Sequence, residues 1–336
     1  MYHATLSSHD APAHPAAAGF AYTRIVNHDA DEAAQRLHAW DQTYRQLTPG
    51  RFEGLTTDLW CEPMQLFRER SNRRIHQAGR SWPGSVTFGI LLSMEGEARF
   101  CGQPMDLDSM MVLGASDELD LVTSPQLDIV GIAIPQDRLT WLDDPGEGRH
   151  GRGPASRLVH LKPSSAARLR EVMQSIFDTI EADPARLAAA AVREQVRDDV
   201  IDALATAAWD GVVQATPAAR HVNQRAIVQR ATAHVLAHRD EPVSVERLCE
   251  HANVSRRSLQ YAFEHTLGIS PLEYLRVARL HGVRRELKST PRSVASIQDI
   301  AARWGFWHLG HFVTEYKQMF GELPSQTLRG KPSNGR

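Results

Sequence analysis

Short apolar runs broken by Gly, Pro, Asp and Ser fill the chain from about Phe20 to Pro135. Ser85–Met94 predicts a strand, with Glu97–Cys101 as its hairpin partner across the tight Glu95-Gly96 turn. Ser109–Leu113, Leu119–Val122 and Leu127–Ile134 predict further strands at the spacing of a small sandwich or barrel. Asp143 to Pro154, rich in Gly, Asp and Arg, predicts a loop. The period then changes. Leu169, Val172, Met173, Ile176, Phe177 and Ile180 share one helical face, and Pro184 opens a second helix carrying Leu187, Val196, Val200, Ile201 and Leu204. Such a pair forms a helical hairpin packed either on the β domain or on a second copy of the chain. Beyond a Gly, Thr and Pro-containing linker, the rest predicts helices separated by short turns.

These changes divide the chain into an Ala/Pro-containing mobile tail (1–18), a β domain (19–160), a helical dimerisation or packing segment (161–212), a linker (213–222) and an all-α domain (223–330). The fold class is thus α+β.

The last domain contains a weak internal repeat. One copy runs from Ser244 to Gly268 and the other from Ser296 to Gly321; Leu248 matches Ile300, Ala252 matches Trp304 and Val254 matches Phe306. With one residue inserted in the second turn, Leu259 matches Phe312, Phe263 matches Tyr316 and Gly268 matches Gly321. Each copy opens on a Ser N-cap, turns, plugs the interhelical angle with Val254 or Phe306, and continues into a second helix. That is the grammar of a helix-turn-helix. Between the copies, Ser270-Pro271-Leu272-Glu273 is a capping box with Pro at the first helical position. The helix it opens would fix the separation of the two units, so that both enter successive major grooves about 34 Å apart on one face of B-DNA.

Charge supports this partner. The formal net charge is only −2, yet residues 218–336 hold 18 Lys and Arg against 10 Asp and Glu, a net of +8, leaving −10 for the remainder. A basic half of this kind points to nucleic acid. The longest apolar stretch is far below the ~18 residues of a membrane span. No Lys or Arg precedes Arg24, no apolar segment of secretory type follows, and three scattered cysteines form no pair, which together point to the cytoplasm.

The double repeat, its connecting helix, and the pattern Gly305-Phe306, Phe312, Lys317, Phe320-Gly321, Pro324 resemble the DNA-binding domain of AraC/XylS-type transcription regulators over about Asn223 to Arg329. The resemblance implies that Arg257, Gln260 and Tyr261 face bases from the first recognition helix and His308, His311 and Thr314 from the second, while Arg256 and Lys317 meet phosphates. Gly310 stands where many relatives place a polar reader. Within the family, Asn253–Tyr261 and Gly305–Phe312 are most similar to regulators of ethanolamine utilisation, which implies ethanolamine and a cobalamin as effectors. The family further implies a cupin-like N-terminal barrel that binds a small effector, a helical homodimer contact, promoter DNA and RNA polymerase as partners, and activation as the usual output. Regulators of another catabolic pathway, with a different effector, fit the same pattern.

A cupin could instead be a metal-dependent enzyme, but no His lies between His76 and His150, and the chain lacks P-loop, GxGxxG and Ser-His-Asp patterns. The expectation is therefore neither an enzyme nor a metal protein; His3, His9 and His14 fall in the tail. If the β domain holds an effector, its candidate walls are Trp60, Phe67, Trp82, Phe88 and Phe100, with Arg68 or Glu95 for polarity.

Overall fold

The computed structural model of the chain describes residues 19–139, 156–210, 212–213, 219–238, 243–289 and 295–330. The tail, the loop from Asp143 to Pro154 and residues 214–218 of the linker lie outside the described residues.

The N-terminal strands are β1 (Phe20–Asn27), β2 (Asp41–Gln46), β3 (Gly54–Cys61), β4 (Met64–Ser71), β5 (Ile75–Arg80), β6 (Ser85–Glu95), β7 (Ala98–Phe100), β8 (Gln103–Met105), β9 (Ser109–Leu113), β10 (Leu119–Val122), β11 (Gln126–Pro135), β12 (Arg157–His160) and β13 (Val212–Val213), with a short helix α1 (Ala30–Ala33) after β1. They form an eight-stranded sheet, in the order β1-β3-β4-β11-β6-β9-β12-β13, and a five-stranded sheet, in the order β2-β5-β10-β7-β8. Neither order returns to its first strand, so the two sheets make an open sandwich, one of the two forms expected from the strand spacing; the cupin-like barrel that the family resemblance implies is not closed here. The expected hairpin between Ser85–Met94 and Glu97–Cys101 also does not form. β6 pairs with β9 and β11, whereas β7 crosses to the other sheet and pairs with β8 and β10. Gly96, at φ +91°, supplies the backbone freedom for that turn.

Leu91, Met111, Leu113, Leu127 and Ile129 of the larger sheet meet Phe100, Met105, Leu119 and Leu121 of the smaller one. The other face of the larger sheet is covered by α2 (Pro163–Ala182) and α3 (Ala190–Asp210). Leu169, Met173, Phe177, Val200 and Leu204 pack there on Leu66, Val86, Phe88, Ile90, Val130 and Ile132. The helical hairpin thus buries its apolar stripe on its own β domain. Pro184 opens a single 3-10 segment, Pro184–Ala188, and the long second helix starts at Ala190.

The C-terminal helices are α4 (Ala219–Ala237), α5 (Val245–Ala252), α6 (Arg256–Leu267), α7 (Pro271–Ser289), α8 (Ile297–Arg303), α9 (Leu309–Phe320) and α10 (Pro324–Arg329). Their core joins both repeats, with Leu248, Leu259, Phe263, Tyr274, Leu280, Ile300, Phe312 and Tyr316 in one cluster that also takes in Leu47 and Val122 of the β domain. Among the described residues, no helix is long and apolar enough to cross a membrane.

Candidate nucleic-acid interface

Each helix-turn-helix is built by local rules legible in its residues. The Ser244 hydroxyl accepts from Arg247 N, and α5 ends at Asn253, whose left-handed φ of 53° makes the turn. Ser255 caps α6 through Ser258 N, and Gly268 closes it at φ +71°. In the second unit Ser296 and Asp299 form a reciprocal capping box, Gly305 turns at φ +78°, and Gly321 closes α9 at φ +71°. Val254 and Phe306 pack partly buried against the common core.

This construction leaves one face of each second helix in solvent. On α6, Arg256, Arg257 and Tyr261 are exposed and Gln260 is half-buried, while Leu259, Ala262 and Phe263 face the core. On α9, His311, Thr314 and Lys317 are exposed opposite Phe312 and Tyr316. His308 is the N-cap residue of α9, so it stands at the helix tip beside the exposed Trp307. Before any ligand is met, Gln260 Nε2 is held by Glu264, Thr314 Oγ1 donates back to Gly310 O at 3.1 Å, and Arg256 lies 3.4 Å from Glu246. A Cβ at Gly310 would meet nothing within 4 Å, so that position presents open backbone. The eight residues singled out in the sequence are thereby brought to two exposed helix faces rich in N–H donors, which can pair with base edges or phosphate oxygens.

The C-terminal ends of both helices dock on the β domain. Gly50 N donates to Gln318 O at 2.8 Å, Gln46 Nε2 donates to Met319 O at 2.9 Å, and the Arg74 guanidinium lies beside Gly268. The N-terminal halves, which reach bases in helix-turn-helix complexes, stay free of it. Helix α7 sits at the centre of the contact. Its Tyr274 hydroxyl receives Arg45, its His281 Nε2 donates to Gln46 O at 3.0 Å, and its Arg284 and Lys288 pair with Asp29. No signal in the sequence pointed to this set, because the partners lie more than 200 residues apart.

Between the two sheets is a small cavity of about 10 Å³, room for one water, lined by Trp40, Gln42, Tyr44, Phe67, Glu69 and Gln77 with Leu37, Leu119, Leu121, Ile129, Met111 and Gly131. Of the candidate wall residues only Phe67 reaches it. Arg68, one position along β4, points to the opposite face, where it binds Asp128 at 2.8 Å and Asp178 at 3.4 Å and ties α2 to the sheet. Phe88 faces the covering helices, Trp60 and Trp82 pack on each other with ring centroids 5.8 Å apart, Phe100 joins the core between the sheets, and Glu95 is exposed. The carboxylate that lines the cavity is Glu69, which was not foreseen. Tyr44 Oη donates to its carboxylate at 2.8 Å and Gln77 Nε2 at 3.3 Å. Burial pushes the Glu69 carboxyl up to about 7, against the pull of those hydrogen bonds.

Two exposed recognition faces on one rigid core define a double helix-turn-helix unit. Residues 248–330 match the family model described as a helix-turn-helix domain. The chain is 39% identical over 106 residues to the probable thc operon regulatory protein of Rhodococcus erythropolis, covering 32% of each. It is 46% identical over 87 residues to the XylDLEGF operon transcriptional activator of Pseudomonas putida, covering 26% of this chain and 27% of that protein. A solved structure of a probable AraC family transcriptional regulator from Rhodopseudomonas palustris CGA009 is 34% identical, with a TM-score of 0.28, and covers 32% of this chain and 98% of that one. The chain thus spans between a quarter and a third of the length of these curated relatives. Its C-terminal domain is similar to the helix-turn-helix regions of these regulators. The narrower resemblance to ethanolamine regulators is not carried, since these relatives are regulators of the thc and XylDLEGF operons.

Proposed function

We propose that the protein is a sequence-specific DNA-binding transcription regulator, acting as an activator under the control of a small molecule held by its N-terminal domain. The observation that carries this reading is the pair of solvent-facing recognition helices, α6 and α9, joined through α7. Arg257, Gln260 and Tyr261 read one major-groove segment, and His308, His311 and Thr314 read the next. Arg256 and Lys317 meet phosphates. The activating role is supported by the word activator in the name of the Pseudomonas putida relative. An activator also contacts RNA polymerase, and a homodimer would place two such readers on one promoter. The open sandwich and its helical cover, about residues 19–212, form the sensing half, with cobalamin and ethanolamine replaced as effectors by a ligand suited to its own cavity.

Fluorescence anisotropy of the full chain on duplexes selected from random DNA tests the reading. A selected duplex should bind about 10³-fold or more tighter than a scrambled one at physiological salt. Equal affinity for both would overturn it.

A further inference from the structure

Strand β2 has two clients. Its Gln42 and Tyr44 line the cavity between the sheets, and its Arg45 and Gln46 touch the DNA-binding domain. The inner client is built around Glu69. Both of its hydrogen-bond partners, Tyr44 and Gln77, are neutral, so neither brings a positive charge to the carboxylate. A buried carboxylate with no cation to answer it among the described contacts is a costly arrangement that a positively charged guest would relieve. The walls suit such a guest. The rings of Trp40, Tyr44 and Phe67 offer faces that attract cations, and the buried Gln42 Oε1 has no hydrogen-bond donor among the described residues. Trp40 and Gln42, both half-buried, form the side from which the cavity can be enlarged. Trp40 is held there by an edge contact with Phe67, centroids 5.2 Å apart, and by donation to Gln65 Oε1, which also receives Trp82. Moving Trp40 therefore leaves Gln65 satisfied.

The outer client is a set of contacts that any shift of β2 must disturb. The Arg45 guanidinium lies 5.0 Å over the Tyr274 ring and reaches its hydroxyl, while its Nε, buried, has no partner among the described residues. Gln46 binds α7 through its carbonyl and α9 through its side-chain amide. Tyr44 and Arg45 are adjacent on an extended strand, so they project to opposite faces, and a displacement of one is a displacement of the other.

We propose that the Glu69 cavity is the effector site, that it takes a small organic amine in its cationic form, and that β2 passes its occupancy to α7 and α9. This rests on the effector-controlled reading above and names the ligand class and the route. The amine's N–H groups pair with Glu69 and Gln42 Oε1, its apolar part replaces Trp40 against Phe67, and the shift of Tyr44 loosens the Arg45 and Gln46 contacts that hold the two recognition helices to the β domain.

The test uses the full chain and two sets of isosteric probes: propylamine, propanol and propionate, and benzylamine, benzyl alcohol and benzoate. Thermal shift and calorimetric titration at pH 8 should show binding of at least one amine and of neither its alcohol nor its carboxylate. Glu69→Gln, close in shape, should weaken that amine at least tenfold. In the wild type, affinity should fall about tenfold between pH 8 and pH 6 as the carboxyl takes up its proton. On the selected duplex, the amine should change DNA affinity in the wild type but not in Arg45→Met, which keeps its amine binding. Failure of both amines to bind, preference for a carboxylate or alcohol, or unchanged amine affinity in Glu69→Gln would overturn the ligand class. A DNA response surviving in Arg45→Met would overturn the β2 route. Because the probe series needs no variant, the ligand class stays testable even if Glu69→Gln does not fold. Loss of selective DNA binding in the unliganded wild type would instead sink the regulator reading itself.

Discussion

Asp29 and Arg284 form a buried ion pair that ties the N-terminal sandwich to the helix between the two helix-turn-helix units. One oxygen of Asp29 caps α1, accepting from Asp31 N at 2.9 Å, and the other receives both Arg284 and Lys288. Arg284 also holds Glu322 at 2.7 Å and stacks over Phe320, centroid 4.5 Å away, so one side chain joins the β domain, α7 and the end of α9. The two cations outweigh burial and hold the Asp29 carboxyl well below the usual range.

Asp29→Asn keeps the helix cap and removes the charge. It should cost about 2–4 kcal/mol in urea unfolding at pH 7, because Arg284 is left half-answered in a buried place. A carboxyl held below its unfolded value of about 3.8 contributes stability that is full above that pH and lost as pH falls below it. The difference between wild type and Asp29→Asn should therefore shrink as the pH is lowered from 5 towards 2.

Two buried groups give opposite slopes at milder pH. Glu69, raised to about 7, favours the folded state fully below its ordinary value and loses that contribution as pH rises through 7. Wild type should lose about 3 kcal/mol relative to Glu69→Gln between pH 4 and 8. His281 is pushed down to about 3 by burial and by the nearby Arg45. It contributes stability that is full above about 6.5 and lost as pH falls from there. His281→Gln, which can still donate to Gln46 O, should flatten stability between pH 6.5 and 4. Urea midpoints across the pH series check both.

Gly282 lies in the middle of α7, where sequence alone counts it only as a weak helix former. A Cβ there would sit 2.2 Å from the Trp304 ring, and Trp304 is fixed by its indole donating to Glu286 at 2.7 Å. Gly282→Ala should destabilise by about 1–3 kcal/mol, the overpacking outweighing a helix gain of about 1 kcal/mol. Calorimetric melting measures it.

Base and phosphate contacts separate by their salt behaviour. Arg257→Ala should cost about 1–3 kcal/mol on the selected duplex and relax preference at one base position, as expected of a bidentate reader. Lys317→Ala should weaken every sequence alike and reduce the salt slope by about one. Anisotropy titrations over a range of salt distinguish the two outcomes.

The C-terminal domain was readable because its determinants are local. Caps at Ser244, Ser255 and Ser296, turns at Asn253 and Gly305, and the spacing of Leu259 with Phe263 or Phe312 with Tyr316 each act within a few residues. The strands Ser109–Leu113 and Leu119–Val122 were legible for the same reason, since their apolar runs are bounded by turn residues. What escaped depends on partners far apart in the chain. A short turn after β6 suggested a hairpin, yet β7 finds better neighbours in the other sheet. Arg68 and Glu69 are adjacent, and only the register of β4 against β11 decides that the arginine meets α2 while the carboxylate meets the cavity. The joint between the domains, Asp29 with Arg284 and Gln46 with His281, leaves no pattern in a single sequence.

The most direct measurement is hydroxyl-radical footprinting of the full chain on a duplex selected from random DNA. Two readers fixed by α7 should protect two blocks about 10–10.5 base pairs apart, centre to centre, on one face of the helix. The Arg257→Ala variant should lose protection in one block first, and His311→Ala in the other. A single protected block, or protection with no preferred spacing, would contradict the account.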